Sequence, residues 1–438
     1  MVVVRLSRHG GCGIAFIIAI IWEFAKGCTQ KILCRAIDKF ASKRYYFIKN
    51  TRWFFVYKGV CRMKRLFLPV ILIAALCACA AAPQSTVPQP SAAPSAAPTP
   101  DSALTLEQKV GQLFIVRPDA LDLTLAQETI NNAKADGVIE LTDAMRDALR
   151  TYPVGGICQF GKNITDPAQI KRFNDDLQAA SQTSLFITVD EEGGRVSRLA
   201  NNPAFDLPQY KNGAISDARA MGQDIGSYLK QYGFNMDFAP VADVNTNPDN
   251  PVIGDRAFSS DAETAARMVA EAAQGLRENG ILPTLKHFPG HGDTKEDSHT
   301  ALAVTHKTLA ELQDCEFLPF AADSGLHAVM VGHIAAPNVT GDMTPATLSP
   351  ALVGLIPDAE NTLIVTDSLA MDAITAAYTP GEAAVLALQA GCDVLLMPNG
   401  LPEAYNAVLQ AVKDGTISEE RLNRSVDKIL RYKAVFAE

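Results

Sequence analysis

Six of the seven histidines in this 438-residue chain fall between residues 287 and 333. Three of them share one segment with several charges, Lys286-His-Phe-Pro-Gly-His-Gly-Asp-Thr-Lys-Glu-Asp-Ser-His299. Histidine titrates near neutrality, so it can both give and take a proton there. A carboxylate beside it can fix its tautomer and support its protonated form. Zinc binding by His287 and His291 is a weaker reading. The intervening Phe-Pro-Gly breaks helical geometry, and the glutamate of an H-E-x-x-H site is missing. The bland alternative is a solvated loop with incidental histidines. By itself the triplet Asp297-Ser298-His299 is a weak signal, because that spacing occurs by chance in loops.

Eight apolar runs follow one another after Leu104. They are Leu113–Val116, Val154–Phe160, Leu185–Val189, Phe234–Val241, Ile281–Leu285, Ala328–Val331, Leu363–Thr366 and Asp393–Met397. Amphipathic stretches such as Asp217–Tyr232, Ala262–Asn279 and Ala383–Ala390 lie between them. Eight strand-like runs alternating with helices predict a single (β/α)8 TIM-type barrel, with a doubly wound open sheet as the competitor. Polar residues end these runs: Asp190 the third, Asp243 the fourth, Lys286-His287 the fifth, Gly332-His333 the sixth and Asp367 the seventh. A barrel gathers such C-terminal strand ends on one face, where active sites form. Of nine cysteines, only Cys158, Cys315 and Cys392 follow Cys79, so the domain has no disulfide framework and must be held by its core.

Four blocks in order resemble glycoside hydrolase family 3, in its β-N-acetylglucosaminidase branch. They are Asp190-Glu-Glu-Gly-Gly-Arg195-Val-Ser-Arg198, Gly254-Asp-Arg256-Ala-Phe, Lys286–His299 and Val365-Thr-Asp367-Ser-Leu-Ala-Met371. The resemblance spans roughly residues 104–438. It implies that terminal β-linked N-acetylglucosamine is hydrolysed with retention, through a covalent glycosyl-enzyme. Asp367 matches the nucleophile, and Asp297 with His299 matches an acid/base dyad that replaces the usual second carboxylic acid. Asp190 resembles the carboxylate that grips hydroxyls of the terminal sugar. Arg198, Arg256, Lys286 and His287 resemble the other sugar-contacting residues, and charge-assisted hydrogen bonds suit that task. For Arg195 a structural ion pair is preferred to sugar binding. For His333 pocket and core readings stand even, Met371 reads as packing and Asp372 as a surface charge. The family implies no metal and no organic cofactor. Peptidoglycan fragments or chitin-type oligosaccharides are the expected carbohydrate partners.

The chain has no sequence for the second α/β domain of larger family members, so the acid/base group is expected from the barrel. Within the family, a β-glucosidase and a phosphorylase remain as alternatives. A non-catalytic muropeptide-binding lipoprotein is the rival from another class. The connection Arg117–Thr151 is long and helix-forming, and reads as a lid, a subsite wall or an oligomer contact.

The first 100 residues have another character. Residues 63–79 combine a basic start, an apolar run and Leu76-Cys-Ala-Cys79, the layout of a bacterial lipoprotein signal with Cys79 as the lipidated residue. The run is short for a membrane span. Residues 1–62 read as an upstream extension included by error, with translation starting at Met63, or else as a genuine membrane helix. Residues 80–100 are an Ala/Pro/Ser-rich linker that stays extended, and 101–438 is the catalytic barrel. This layout predicts a lipid anchor on the extracellular face of the cell membrane. The net charge of −9 divides into +12 before Cys79 and −21 from there onward. So acidic a domain repels polyanions, which argues against nucleic acid as a partner.

Overall fold

A computed structural model describes residues 104–295 and 302–437. The extension, the signal with Cys79 and the linker lie outside the described residues. Among the described residues, no helix is long and apolar enough to cross a membrane.

Eight short strands alternate with helices: β1 Phe114–Val116, β2 Gly156–Cys158, β3 Phe186–Val189, β4 Met236–Asp237, β5 Leu282–Phe288, β6 Ala328–Val331, β7 Leu363–Thr366 and β8 Leu395–Leu396. Neighbours pair in parallel in the order 8-1-2-3-4-5-6-7. A parallel bridge between Val365 and Val394 joins β7 to β8 and closes the ring. Closure excludes the open doubly wound sheet. Each expected apolar run contributes its strand, in sequence order. Every strand residue is buried. Helices cover the outer face of such a sheet and side chains fill its interior, so the strands read as continuous apolar runs rather than alternating ones.

The outer helices start where the sequence supplies caps. In α1 (Pro167–Ala180) the Asp166 carboxylate accepts from the amides of Ala168 and Gln169. In α2 (Ala218–Gln231) Asp217 accepts from the amide of Ala220, and in α3 (Ala262–Glu278) Asp261 accepts from that of Thr264. In α4 (Pro380–Ala390) Thr379 and Glu382 form a reciprocal capping box. Helices α2 and α3 touch backbone to backbone. A Cβ on Gly222 would stand 2.3 Å from the carbonyl oxygen of Ala272, and one on Gly275 would stand 2.3 Å from that of Arg219.

The Arg117–Thr151 connection is broken into pieces: a 3-10 turn at Pro118–Leu121 and helices at Gln127–Asn131 and Asp143–Thr151. It is fastened to the barrel rim. Buried Asp119 takes Asn163 at 2.8 Å and Lys162 at 3.3 Å. Arg117 Nη1 donates to the carbonyl of Ile130 at 2.8 Å, and Asn131 donates to Asn399 beyond β8 at 2.8 Å.

The seam between β7 and β8 depends on Asp393. This carboxylate is 1% exposed. It accepts from the amide of Ile364 at 3.0 Å, from Ser425 at 2.6 Å and from Lys428 at 2.7 Å. The last two project from α5 (Glu419–Phe436), so one side chain ties the closing strand to the closing helix. Asp393→Ala would leave Lys428 buried without its counter-charge, at a cost of about 3 kcal/mol. Urea unfolding of the variant is expected to show that loss, and an unchanged midpoint would contradict this role for Asp393.

Candidate active site

The C-terminal ends of β3 and β5 carry a buried ion network. Lys286, at the end of β5, is 2% exposed. Its Nζ lies 2.6 Å from Asp190 Oδ1 and 2.7 Å from Glu192 Oε1. Arg256 reaches Glu192 through Nε at 2.8 Å and Nη2 at 2.7 Å, a forked pair. Arg198 Nη2 lies 3.3 Å from the other oxygen of Asp190. Burial works to raise the carboxyl of Asp190, but Lys286 and Arg198 outweigh it and hold Asp190 well below the ordinary range. Glu192 is likewise raised by burial yet held at about 2 by Lys286 and Arg256. Burial lowers Lys286, and the same two carboxylates more than restore it. All members are therefore ionised at neutral pH, and they present fixed charge to the pocket.

Two buried acids lie beneath this network. Glu191 accepts from the amides of Leu199 and Ala200 and from the hydroxyl of Tyr228, each at 2.9 Å. It shapes the loop that carries Arg198. Asp237 accepts from the amide of Glu191 at 3.0 Å, while burial pushes its carboxyl up.

His287 occupies a register shift. On β5, Lys286 stands opposite Met330 and Phe288 opposite Val331, which leaves His287 as an extra residue. Such a bulge re-aims a side chain. His287 Nδ1 is 2.7 Å from Asp243 Oδ2. A carboxylate cannot donate, so Nδ1 carries the proton and Nε2 is left for another partner. The other oxygen of Asp243 accepts from the amide of His291 at 2.6 Å. One carboxylate thus fixes both the ring of His287 and the root of the following loop. Burial holds the ring of His291 toward its neutral form. Among the described residues, no group of three or more His, Cys, Asp or Glu side chains is arranged to hold a metal ion.

Asp367 follows β7, four strands round the barrel from β3 and so across the pocket from Asp190. Its amide donates to the carbonyl of Val331 at 2.8 Å. Its Oδ1 accepts from the amide of Ser368 at 2.7 Å, and its charge acts on the ring of His291. His333 is fully buried; its Nδ1 meets Thr347 at 2.7 Å and its Nε2 meets the carbonyl of Ser368 at 2.8 Å. It supports the residue next to Asp367. Exposed Arg195 pairs with Asp255 at 2.9 Å, outside the network.

The structure joins Asp190, Arg198 and Lys286 directly and Arg256 through Glu192, sets His287 beside them and faces them with Asp367. Asp297 and His299 lie outside the described residues. The sequence pattern assigns no role to Glu192 or Asp243. Glu192 stood in the Asp190 block, and Asp243 stood at a strand end, which was the available signal for each.

The Glycosyl hydrolase family 3 N terminal domain model matches residues 105–432. The chain belongs to this family. It is 34% identical over 319 residues to Beta-hexosaminidase LpqI of Mycobacterium tuberculosis, covering 68% of this chain and 80% of that protein. Among solved structures it resembles a glycoside hydrolase family 3 beta-N-acetylglucosaminidase from Paenibacillus sp. FPU-7 (TM-score 0.68, 38% identity, 76% of this chain and 62% of that one). A Beta-N-acetylhexosaminidase from Beutenbergia cavernae aligns over 76% of this chain and 99% of its own (TM-score 0.66, 28% identity).

In this family 3 barrel Asp243 holds the ring of His287. Asp243→Asn replaces one acceptor by a donor and should turn His287 to its other tautomer. Losing one charge-assisted bond costs about 2 kcal/mol, or about thirtyfold in kcat/KM. Steady-state kinetics with nitrogen NMR of the histidine ring would register both changes. An unaltered tautomer with full activity would show that Asp243 does not position His287.

Proposed function

We propose that this family 3 enzyme removes terminal, non-reducing β-linked N-acetylglucosamine from oligosaccharides by double displacement, with Asp367 as nucleophile and Asp297–His299 as acid/base dyad. One observation carries the reading. A wall of paired charges, Asp190 with Lys286 and Arg198 and Glu192 with Arg256, faces a carboxylate across the pocket, in a barrel whose curated relatives are named beta-hexosaminidases.

Asp367 attacks the anomeric carbon while His299 protonates the leaving oxygen. Water then attacks the glycosyl-enzyme, and His299 takes its proton. A hydrogen bond to Asp297 would support the imidazolium with which His299 begins the cycle and to which it returns. Asp190, Arg198 and Lys286 grip hydroxyls of the terminal sugar, and His287 adds the ring nitrogen that Asp243 leaves available. Arg256 acts through Glu192, which holds Lys286 in place.

For the chain as a whole we infer anchoring through a lipidated Cys79, which would place the barrel outside the cell membrane at the end of the residue 80–100 linker. The basic start and apolar run of residues 63–79 support this. Peptidoglycan fragments and chitin-type oligosaccharides are the natural substrates within reach of such a placement.

Initial rates on p-nitrophenyl β-N-acetylglucosaminide and on the corresponding glucoside test the assignment, with and without phosphate. The N-acetyl sugar is expected to turn over alone and without phosphate. Asp367→Ala should lower kcat by more than about a thousandfold, and His299→Ala by about a hundredfold to ten-thousandfold. Preference for the glucoside would overturn the specificity, and dependence on phosphate would make the enzyme a phosphorylase. In the same preparation Cys79→Ala should shift the protein from membrane to soluble fraction, and unchanged partitioning would refute the anchor.

A further inference from the structure

The rim of β1 to β3 holds more positive charge than a neutral sugar requires. Arg117 follows β1, Phe160 lies two residues past β2 and Arg198 lies in the loop after β3. The guanidinium carbon of Arg117 stands 4.5 Å from the centre of the Phe160 ring, and that of Arg198 stands 5.4 Å from it. Both cations act on Asp190 and on the fully buried thiol of Cys158 at the end of β2. They are therefore part of the barrel mouth and not of its outer surface.

Neither guanidinium there has a carboxylate to itself. Lys286 and Arg256 already match Asp190 and Glu192. Asp119 is matched by Lys162, and Asp243 is engaged by His287. Arg117 forms no ion pair with a carboxylate among the described residues. Its Nη1 goes to the carbonyl of Ile130, and its Nε lies 3.3 Å from the Met397 sulfur. Arg198 shares Asp190 at 3.3 Å, and its buried Nε has no partner. Two half-buried cations that share one aromatic ring repel each other, and an arriving anion relieves both. A guanidinium offers planar, forked donors that fit carboxylate, phosphate and sulfate groups.

We propose that Arg117 and Arg198, stacked on Phe160, form a subsite for an anionic substituent on the terminal sugar, so that this enzyme prefers acidic N-acetylhexosaminides to neutral ones. The proposal rests on the function assigned above, because it uses the same pocket. Asp190 and Lys286 hold the ring hydroxyls, Arg198 serves both a hydroxyl and the substituent, and the substituent lies toward β1 and β2. The connection after β1 contributes by anchoring Arg117 through Ile130.

Competitive inhibition of p-nitrophenyl β-N-acetylglucosaminide hydrolysis by three monosaccharides tests this with the full chain. They are N-acetylglucosamine, N-acetylglucosamine 6-phosphate and N-acetylmuramic acid, which are respectively neutral, a phosphate ester and a carboxylate. At low ionic strength at least one acidic sugar should bind about tenfold more tightly than the neutral one, and which one does so tells phosphate from carboxylate. The advantage should shrink as salt screens the charges. Arg117→Met should bring the ratio of inhibition constants close to one, and Arg117→Lys should keep part of it. Neutral and acidic sugars binding alike at low salt would overturn the proposal, as would a ratio unchanged in Arg117→Met. If Arg117→Met does not fold, the salt series on the unmodified enzyme decides alone. Should the glycoside not be hydrolysed at all, the assigned function fails separately, and calorimetric titration with the same three sugars still reads the charge preference.

Discussion

Lys286 carries a full charge at the end of a barrel strand with 2% of its surface exposed. A buried ammonium without partners would lose its proton or destabilise the fold by several kcal/mol. The site is built around preventing that. Asp190 and Glu192 both reach Lys286 from the end of β3, and Arg256 then neutralises what Glu192 has left over. The arrangement ties β3, β5 and the loop after β4 at one level of the barrel. Because both oxygens of Asp190 are engaged by cations, its carboxylate has a fixed orientation before any sugar arrives. Preorganised charge of this kind need not be rearranged when substrate binds.

A second tie holds the remaining half of the pocket. Asp243 is also buried, and it uses one oxygen on the ring of His287 and the other on the amide of His291. The loop after His291 is further secured where Asn250 donates to the carbonyls of His291 at 2.8 Å and Thr294 at 3.0 Å. The ion network around Lys286 and the root of the segment carrying Asp297 and His299 are thus fixed by neighbouring carboxylates. Asp367 follows strand β7, whose four residues are all buried. Its placement is set by parallel pairing of β6 with β7 and by His333 behind Ser368.

Much of this was legible in the chain. Barrel strands buried on both faces are apolar along most of their length, so all eight appeared as runs. The polar residues that ended them marked the catalytic face, because a barrel with helices outside leaves its strand ends as the place where charge can meet water. The family blocks picked out Asp367, Asp190 and Lys286, which the structure sets at C-terminal strand ends of one barrel face. Glu192 was hidden because its partner Arg256 is 64 residues away in sequence, and nothing local announces that pairing. The seam role of Asp393 depends on Lys428 and Ser425 in the final helix. The stacking of Arg117 and Arg198 on one ring depends on three separate strand ends. The register shift at His287 is a property of two strands together, so a single strand's pattern does not show it. Local composition reports burial and period, whereas ion pairing across the barrel mouth is set by closure of the sheet.

The central claim is that Asp367 becomes covalently attached to the sugar. A fluorinated N-acetylglucosaminyl fluoride slows release of such an adduct and allows it to be trapped. Peptide mass spectrometry after incubation would then locate it. The predicted result is one fluorinated N-acetylhexosaminyl adduct per chain, on the peptide containing Val365–Met371 and assigned to Asp367, with loss of activity in proportion to labelling. Turnover without an adduct would contradict double displacement, and an adduct on another carboxylate would contradict the choice of Asp367.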